Sequence, residues 1–238
     1  MENHSPISVP HLAILYQDEN MIAVNKPNDM AVHASRMYVD DTVFVLQTLR
    51  DQIQKKVFPA HRLDRKTSGV LLFALNDEMN STLQKMFAEN KIHKTYHAIV
   101  RGHLKEKGTI DYALKNDAGK IQEAITDFSP ISFYEINVPL GKHPSSRYTL
   151  VELKPATGRF HQLRKHMAHI FHPIIGDRPH GCNKQNRLWK DDFKHKSMLL
   201  HAHSIRFSHP ITQDEIVITA PYSQPFLDAF SILENKKI

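Results

Sequence analysis

The chain has 238 residues, 41% of them hydrophobic, enough for one large domain or two small ones to bury a full core, which excludes disorder as the default state. Its 31 Lys and Arg against 25 Asp and Glu give a formal charge of +6, to which 17 histidines add as the pH falls, and the favoured partner is a polyanion such as nucleic acid. The lone Cys182 excludes an intrachain disulfide and a thiolate metal cluster, and it favours a reducing compartment.

Residues 1–11 are polar, carry Pro6 and Pro10, and are expected to be a flexible lead-in to one domain over 12–238. No basic segment followed by an apolar stretch opens the chain, and no uncharged apolar run approaches membrane-spanning length, so a soluble cytoplasmic protein is expected. The apolar runs at 12–16 and 21–24, separated by four polar residues, predict a β-hairpin. Asn25 to His33 then reads as a Pro27-containing turn leading to another strand. Val43, Leu46, Leu49 and Ile53 recur at helical spacing, which predicts a helix from Thr42 to Ile53 with Thr42 as its cap.

Residues 61–74, HRLDRKTSGVLLFA, join a charged, turn-forming octet to an apolar run of strand length. The run bounded by Thr67-Ser68-Gly69 predicts a buried strand and leaves Asp64 on the loop at its mouth. With Arg62 and Arg65 on either side, the ionised carboxylate is favoured, as a nucleophile, a base or a salt-bridge partner. Asn76 caps a second amphipathic helix, with Met79, Leu83, Met86 and Phe87 on one face. Residues 94–102 alternate as a strand, placing Tyr96, Ala98 and Val100 on one face and Thr95, His97 and Ile99 on the other.

Residues 103–146 lack long periodic runs and predict short strands with a protruding arm, charged by Lys105, Lys107, Lys115, Lys120, Lys142 and His143. A strand over 147–153 leads to the Pro155-Ala156-Thr157-Gly158 turn, and Arg159 to Ile170 predicts a helix with Leu163, Met167 and Ile170 inward and Arg164 at the edge of that face. His161, His166, His169 and His172 invite a metal reading, but the carboxylate of a zinc hydrolase motif is missing and no cysteine accompanies them; no metal is expected, and an RNA-facing basic helix is preferred. Residues 177–196 are polar, basic and poor in core formers, a loop in which Trp189 either stacks on a base or anchors the chain. Strands over 198–202, 205–207 and 216–220 and a terminal helix with Phe226, Leu227, Phe230 and Leu233 inward close the chain.

Three of these stretches together resemble the motifs of the RluA-type pseudouridine synthases: Lys26-Pro27 through Val32-His33, His61 through Ala74, and Arg159 through His166 followed by Pro173-Ile174-Ile175-Gly176-Asp177. Lys94-x-Tyr96-x-Ala98-x-Val100-x-Gly102 resembles a further one, and the likeness extends over about residues 12 to 230. Two positions depart from the pattern, Asp29 in place of Gly and Phe160 in place of Thr. The resemblance implies the pseudouridine synthase fold, α+β, with a mixed, mostly antiparallel sheet, flanking helices and a central catalytic cleft. It implies Asp64 as the essential residue of uridine isomerisation, Tyr96 as the ring stacked on the base and a candidate for handling the C5 proton, and Arg164 as the ion-pair partner that orients the carboxylate. Arg62 is the implied wedge for base flipping, Lys26 and His33 are expected to shape the RNA groove, and His161 and Leu163 to meet the RNA from their helix. Neither cofactor nor metal is implied; the protein is expected to act as a monomer. Gly176-Asp177-x-x-His180-Gly181 with Asn186-Arg187 resembles the tRNA-acting subgroup, which implies an acceptor-stem-proximal uridine; a ribosomal RNA target and a non-catalytic RNA-binding protein on the same fold are the alternatives.

Overall fold

The computed structural model describes residues 11–34 and 43–237. The lead-in and Thr42 therefore lie outside the described residues, apart from the lead-in's last residue, His11. Strands β1 (Ala13–Gln17) and β2 (Met21–Lys26) form the expected hairpin, followed by helix α1 (Val45–Ile53), which starts later than expected with Phe44 at its cap position. A short β3 (Phe58–Pro59) precedes β4 (Ser68–Ala74), helix α2 (Asp77–Ala88) and β5 (His93–Arg101). Asn76 caps α2 by accepting from the Met79 amide at 2.8 Å.

The expected arm is β6 (Gly108–Asp111), a small hairpin of β7 (Leu114–Lys115) and β8 (Ile121–Gln122), and the long β9 (Ile125–Ile136). Strand β10 (Ser146–Pro155), helices α3 (Gln162–His169) and α4 (Asn183–Asp191), strands β11 (Leu200–Ser208) and β12 (Glu215–Thr219) and helix α5 (Gln224–Asn235) complete the chain. None of the helices of the described residues is long and apolar enough to cross a membrane.

The main sheet runs β1-β2-β4-β11-β5-β10-β9-β6, with β12 beside β11 and β3 beside β4. All its pairings are antiparallel except β4 with β11, which lie parallel with His201 opposite Ser68 and Ala202 opposite Gly69. That joint is permitted by glycine: a Cβ at Gly69 would stand 2.1 Å from the Ala202 carbonyl oxygen, and the residue has φ +108°. The parallel joint brings β4, whose loop carries Asp64, within one strand of β5, which carries Tyr96.

The unbroken apolar reading of β4 follows from cover on both faces. Val70, Leu72 and Ala74 pack with Met79 and Leu83 of α2, while Leu71 and Phe73 pack with Val45 and Leu49 of α1. Burying each large side chain here contributes about 1.5–3 kcal/mol. On β5, Ala98 and Val100 meet Leu163 and Met167 of α3, and Ile99 on the other face meets Tyr148, Trp189 and Phe226.

Three expectations are corrected. Residues 183–191, read as loop, form α4, because Gln185, Leu188 and Trp189 share a buried face; Trp189, 1% exposed, is a core residue and offers no stacking surface to RNA. Helix α3 begins at Gln162 rather than Arg159, since His161 adopts a left-handed φ of +56°. In α5, Leu227 is 45% exposed and Ala229 takes the inward place assigned to it.

Candidate active site

The loop between β3 and β4 turns at Asp64, whose carbonyl accepts from the Thr67 amide at 3.0 Å, and this holds the carboxylate at the rim of a cavity of about 530 Å³. Tyr96, Leu163, His161, Arg62 and Arg164 line the same cavity, so most of the residues singled out in the sequence come together. Asp64 and Arg164 are 100 positions apart in the chain, and Arg164 Nη1 donates to Asp64 Oδ2 at 2.9 Å.

Arg164 is itself clamped. Its Nε and Nη2 donate to Oδ2 and Oδ1 of Asp177 at 2.9 and 2.7 Å, the two-pronged geometry that a guanidinium fork gives and an ammonium cannot. Asp177 is fully buried on the turn before α4, where Asn186 donates to its carbonyl at 2.7 Å and accepts from the Gly176 amide at 2.9 Å. Burial alone would lower the Arg164 pKa, but the Asp177 hydrogen bonds and charge, with Asp64 behind them, outweigh it and raise it. Arg164 is thus a fixed cation whose Nη1 is left to reach Asp64.

The histidine beside this pair approaches the same oxygen: His161 Nε2 lies 3.7 Å from Asp64 Oδ2. Asp64 Oδ1 takes no hydrogen bond among the described residues. One face of the carboxylate is therefore anchored while the other oxygen stays free for chemistry. His161 is held in turn by His180, ring nitrogen to ring nitrogen at 3.0 Å, and by stacking on Phe160 at 3.7 Å between centroids. Burial draws His161 down to about 4 against the pull of Asp64, so the ring is neutral at pH 7 and offers Asp64 a dipole rather than a charge.

Tyr96 presents its ring to the cavity, and its hydroxyl makes no hydrogen bond among the described residues. Burial, and then the Asp64 charge, push its pKa up. The phenol therefore stays protonated and holds its proton tightly, so what it offers the cavity is an aromatic face and an O–H for hydrogen bonding rather than a ready acid or base. Arg62 is exposed at the cavity rim and makes no side-chain hydrogen bond or ion pair among the described residues. The arginine paired with Asp64 is thus Arg164, distant in sequence, and not the neighbouring Arg62.

Lys26 and His33 lie elsewhere than expected. Lys26 is fully buried, and its Nζ donates to the carbonyls of Pro27, Met30 and Arg65 at 2.7, 2.7 and 2.9 Å, tying the turn after β2 to the Asp64 loop from below. Burial draws its pKa down to about 7, and Asp29 and Asp64 oppose that fall. Asp29 has φ +60°, the left-handed conformation that glycine would adopt there. His33 is exposed and does not line the cavity.

The remaining histidines of the α3 region point apart: His166 bonds Thr126 and the Tyr112 carbonyl, His169 stacks on Tyr112, and His172 bonds the Arg101 carbonyl. Sequence reasoning gave Asp177 and His180 no role at the site. The one signal for Asp177 was its place after Gly176, whose φ of +79° and whose hydrogen, 2.1 Å from the Ser197 oxygen if replaced by Cβ, fix the turn.

A carboxylate clamped on one oxygen, a buried phenol and a basic rim, set on this sheet, define a class that comparison with known proteins identifies. Residues 20–169 match the family model described as RNA pseudouridylate synthase. The chain is 50% identical over 234 residues to the tRNA pseudouridine synthase C of Vibrio parahaemolyticus, covering 94% of this chain and 95% of that one. It is 47% identical over 226 residues to the same-named protein of Yersinia pestis, covering 90% and 88%. The solved structure of human RNA pseudouridylate synthase domain containing 1 superposes with a TM-score of 0.72 at 26% identity, covering 92% of this chain and 86% of that one. The chain belongs to the RNA pseudouridylate synthase family, whose members are isomerases.

Proposed function

We propose that the protein isomerises one uridine of tRNA to pseudouridine, with Asp64 as the catalytic residue. Pseudouridine formation breaks the bond from C1′ to N1, turns the uracil and rejoins it through C5, whose proton leaves to solvent while N1 gains one. Atoms and electrons balance without a redox partner. The observation that carries this reading is the asymmetry of Asp64 in the cavity lining: Oδ2 is anchored by Arg164 at 2.9 Å, and Oδ1 has no hydrogen bond among the described residues. A lone carboxylate with one free oxygen suits attack on C1′ or C6, or assistance of elimination at C2′.

A base stacked in an RNA helix cannot reach the cavity, so the uridine must be flipped out at a cost of a few kcal/mol. In this reading Arg62, exposed at the rim, fills the vacated stack, Tyr96 stacks on the flipped uracil, and Leu163 and His161 wall it; that all four line the cavity supports it. Lys26 acts on the site by holding the Asp64 loop. The tRNA target rests on the likeness to the tRNA pseudouridine synthases C, and the acceptor-stem-proximal uridine on the resemblance of the 176–187 segment. The chain is taken to work as a monomer in the cytoplasm, without cofactor or metal.

The test is tritium release from transcripts labelled at uridine C5, with tRNA and ribosomal RNA offered separately. Release from tRNA alone is expected. Release from ribosomal RNA alone would overturn the target, and release from neither would leave a non-catalytic RNA-binding protein.

A further inference from the structure

A second cavity, of about 700 Å³, lies at the far end of β5, and nothing in the isomerisation uses it. Arg101, Lys142, His143, Arg147 and Lys184 line it, with no acidic side chain among the lining residues. Its floor holds Gln185, 6% exposed, whose Oε1 accepts from Tyr148 at 2.7 Å while its Nε2 makes no hydrogen bond among the described residues. An amide donor that has no protein partner, in a cavity lined by cations, is available to an acceptor from outside. The resident thiol gauges the field: burial would raise the Cys182 pKa, yet hydrogen bonds from the Gln185 backbone, the Arg101 side chain and the Lys184 backbone overcome it and leave it lowered. Negative charge is favoured here.

From Tyr96 in the first cavity to Arg101 in the second is five residues of extended strand, about 16 Å at ~3.3 Å per residue. We propose that this cavity is a second RNA site, binding a backbone phosphate of the same molecule whose uridine enters the Asp64 cavity. Arg101, Gln185, Lys142 and Lys184 supply the donors. Phosphate contacts of this kind position an RNA without reading its sequence, and so set which uridine faces Asp64. The inference rests on the RNA-isomerising reading.

Because Cys182 is the only cysteine, its alkylation by iodoacetamide reports on the cavity directly. Addition of tRNA transcript to the wild type, or to Asp64→Asn, is expected to slow alkylation severalfold. In the paired variant Lys142→Glu/Lys184→Glu, KM for tRNA should rise on the order of tenfold with kcat kept, as the loss of two exposed charge contacts implies. The slope of log affinity against log salt should fall by about one per phosphate contact removed. Lys55→Glu/Lys56→Glu, exposed at the end of α1, is the control and should leave KM near wild type. Three results would overturn the site: normal tritium release with Cys182 unprotected and KM unchanged in the cavity pair, an equal KM rise in the control pair, or protection by inorganic phosphate but not by RNA. Absence of tritium release from wild type would instead strike the isomerase reading, while protection of Cys182 would still stand for the site.

Discussion

Arg164 binds two carboxylates at once, and replacing it by lysine separates its charge from its geometry. The fork makes two hydrogen bonds to the fully buried Asp177 and one to Asp64, at 2.7 to 2.9 Å. A lysine keeps the charge but reaches one carboxylate at a time. Hydrogen bonds to charged groups are worth about 1.5–3 kcal/mol each, and losing two, with part recovered by the ammonium, costs on the order of 3 kcal/mol. Against a total stability of about 5–15 kcal/mol that is severe but survivable, and at a urea m-value of about 2–3 kcal/mol/M it lowers the unfolding midpoint by about 1 M. Removing the cation altogether, Arg164→Met, strands Asp177 and costs about 3–5 kcal/mol. Turnover should fall further than stability does. With Asp64 free to change rotamer, a displacement of about 1 Å is worth on the order of 100-fold in kcat, with little change in KM. Urea unfolding followed by circular dichroism, and single-turnover tritium release on the folded fraction, measure the two effects. A lysine variant that unfolds at the wild-type midpoint and turns over at the wild-type rate would refute the clamp.

Gly69→Ala should be among the most damaging single substitutions, because its Cβ would meet the Ala202 carbonyl oxygen at 2.1 Å in a backbone of φ +108°. A loss of more than about 3 kcal/mol, or no soluble protein, is expected on thermal unfolding, and wild-type stability would contradict the parallel β4–β11 joint. Burial and neighbouring histidines hold His97 at about 3, and burial and His203 hold His201 at about 4, both below the ordinary value near 6.5. Their stability is complete above the unfolded pKa and is lost as pH falls from about 6.5 toward 4, since only the unfolded chain takes up the protons there. Each contributes a slope of up to about 1.4 kcal/mol per pH unit in that window. Urea midpoints at successive pH values should decline below neutrality, less steeply in His201→Gln, and a flat profile would show these rings to be protonated in the fold.

Much of this site is legible from residues close in sequence. The turn-then-apolar pattern of 61–74 places Asp64 at a strand mouth because loop formers and strand formers meet there, and alternation over 94–102 fixes the face that Tyr96 shares with Ala98 and Val100. The order of the ten strands, the parallel joint and the pairing of Asp64 with Arg164 depend on contacts that no local pattern encodes. Charge signs were legible while burial was not. Lys26 reads as a surface cation, yet three carbonyls enclose it; Asp177 reads as loop polarity, yet it anchors Arg164. Trp189 and its helix were hidden because a nine-residue segment with three buried positions falls below what periodicity can separate from a basic loop. The high pKa direction of Tyr96 could not be read at all, since it arises from burial beside Asp64.

The central claim is that Asp64 does the chemistry and does not merely hold RNA. The measurement that addresses it most directly compares Asp64→Asn with wild type, pairing single-turnover tritium release from labelled tRNA with the Kd for the same tRNA. Asparagine keeps the size of the side chain and an acceptor for Arg164 but removes the nucleophilic charge. The account predicts that release falls below detection while the Kd stays close to wild type. Release at the wild-type rate, or a loss of binding as large as the loss of turnover, would contradict it.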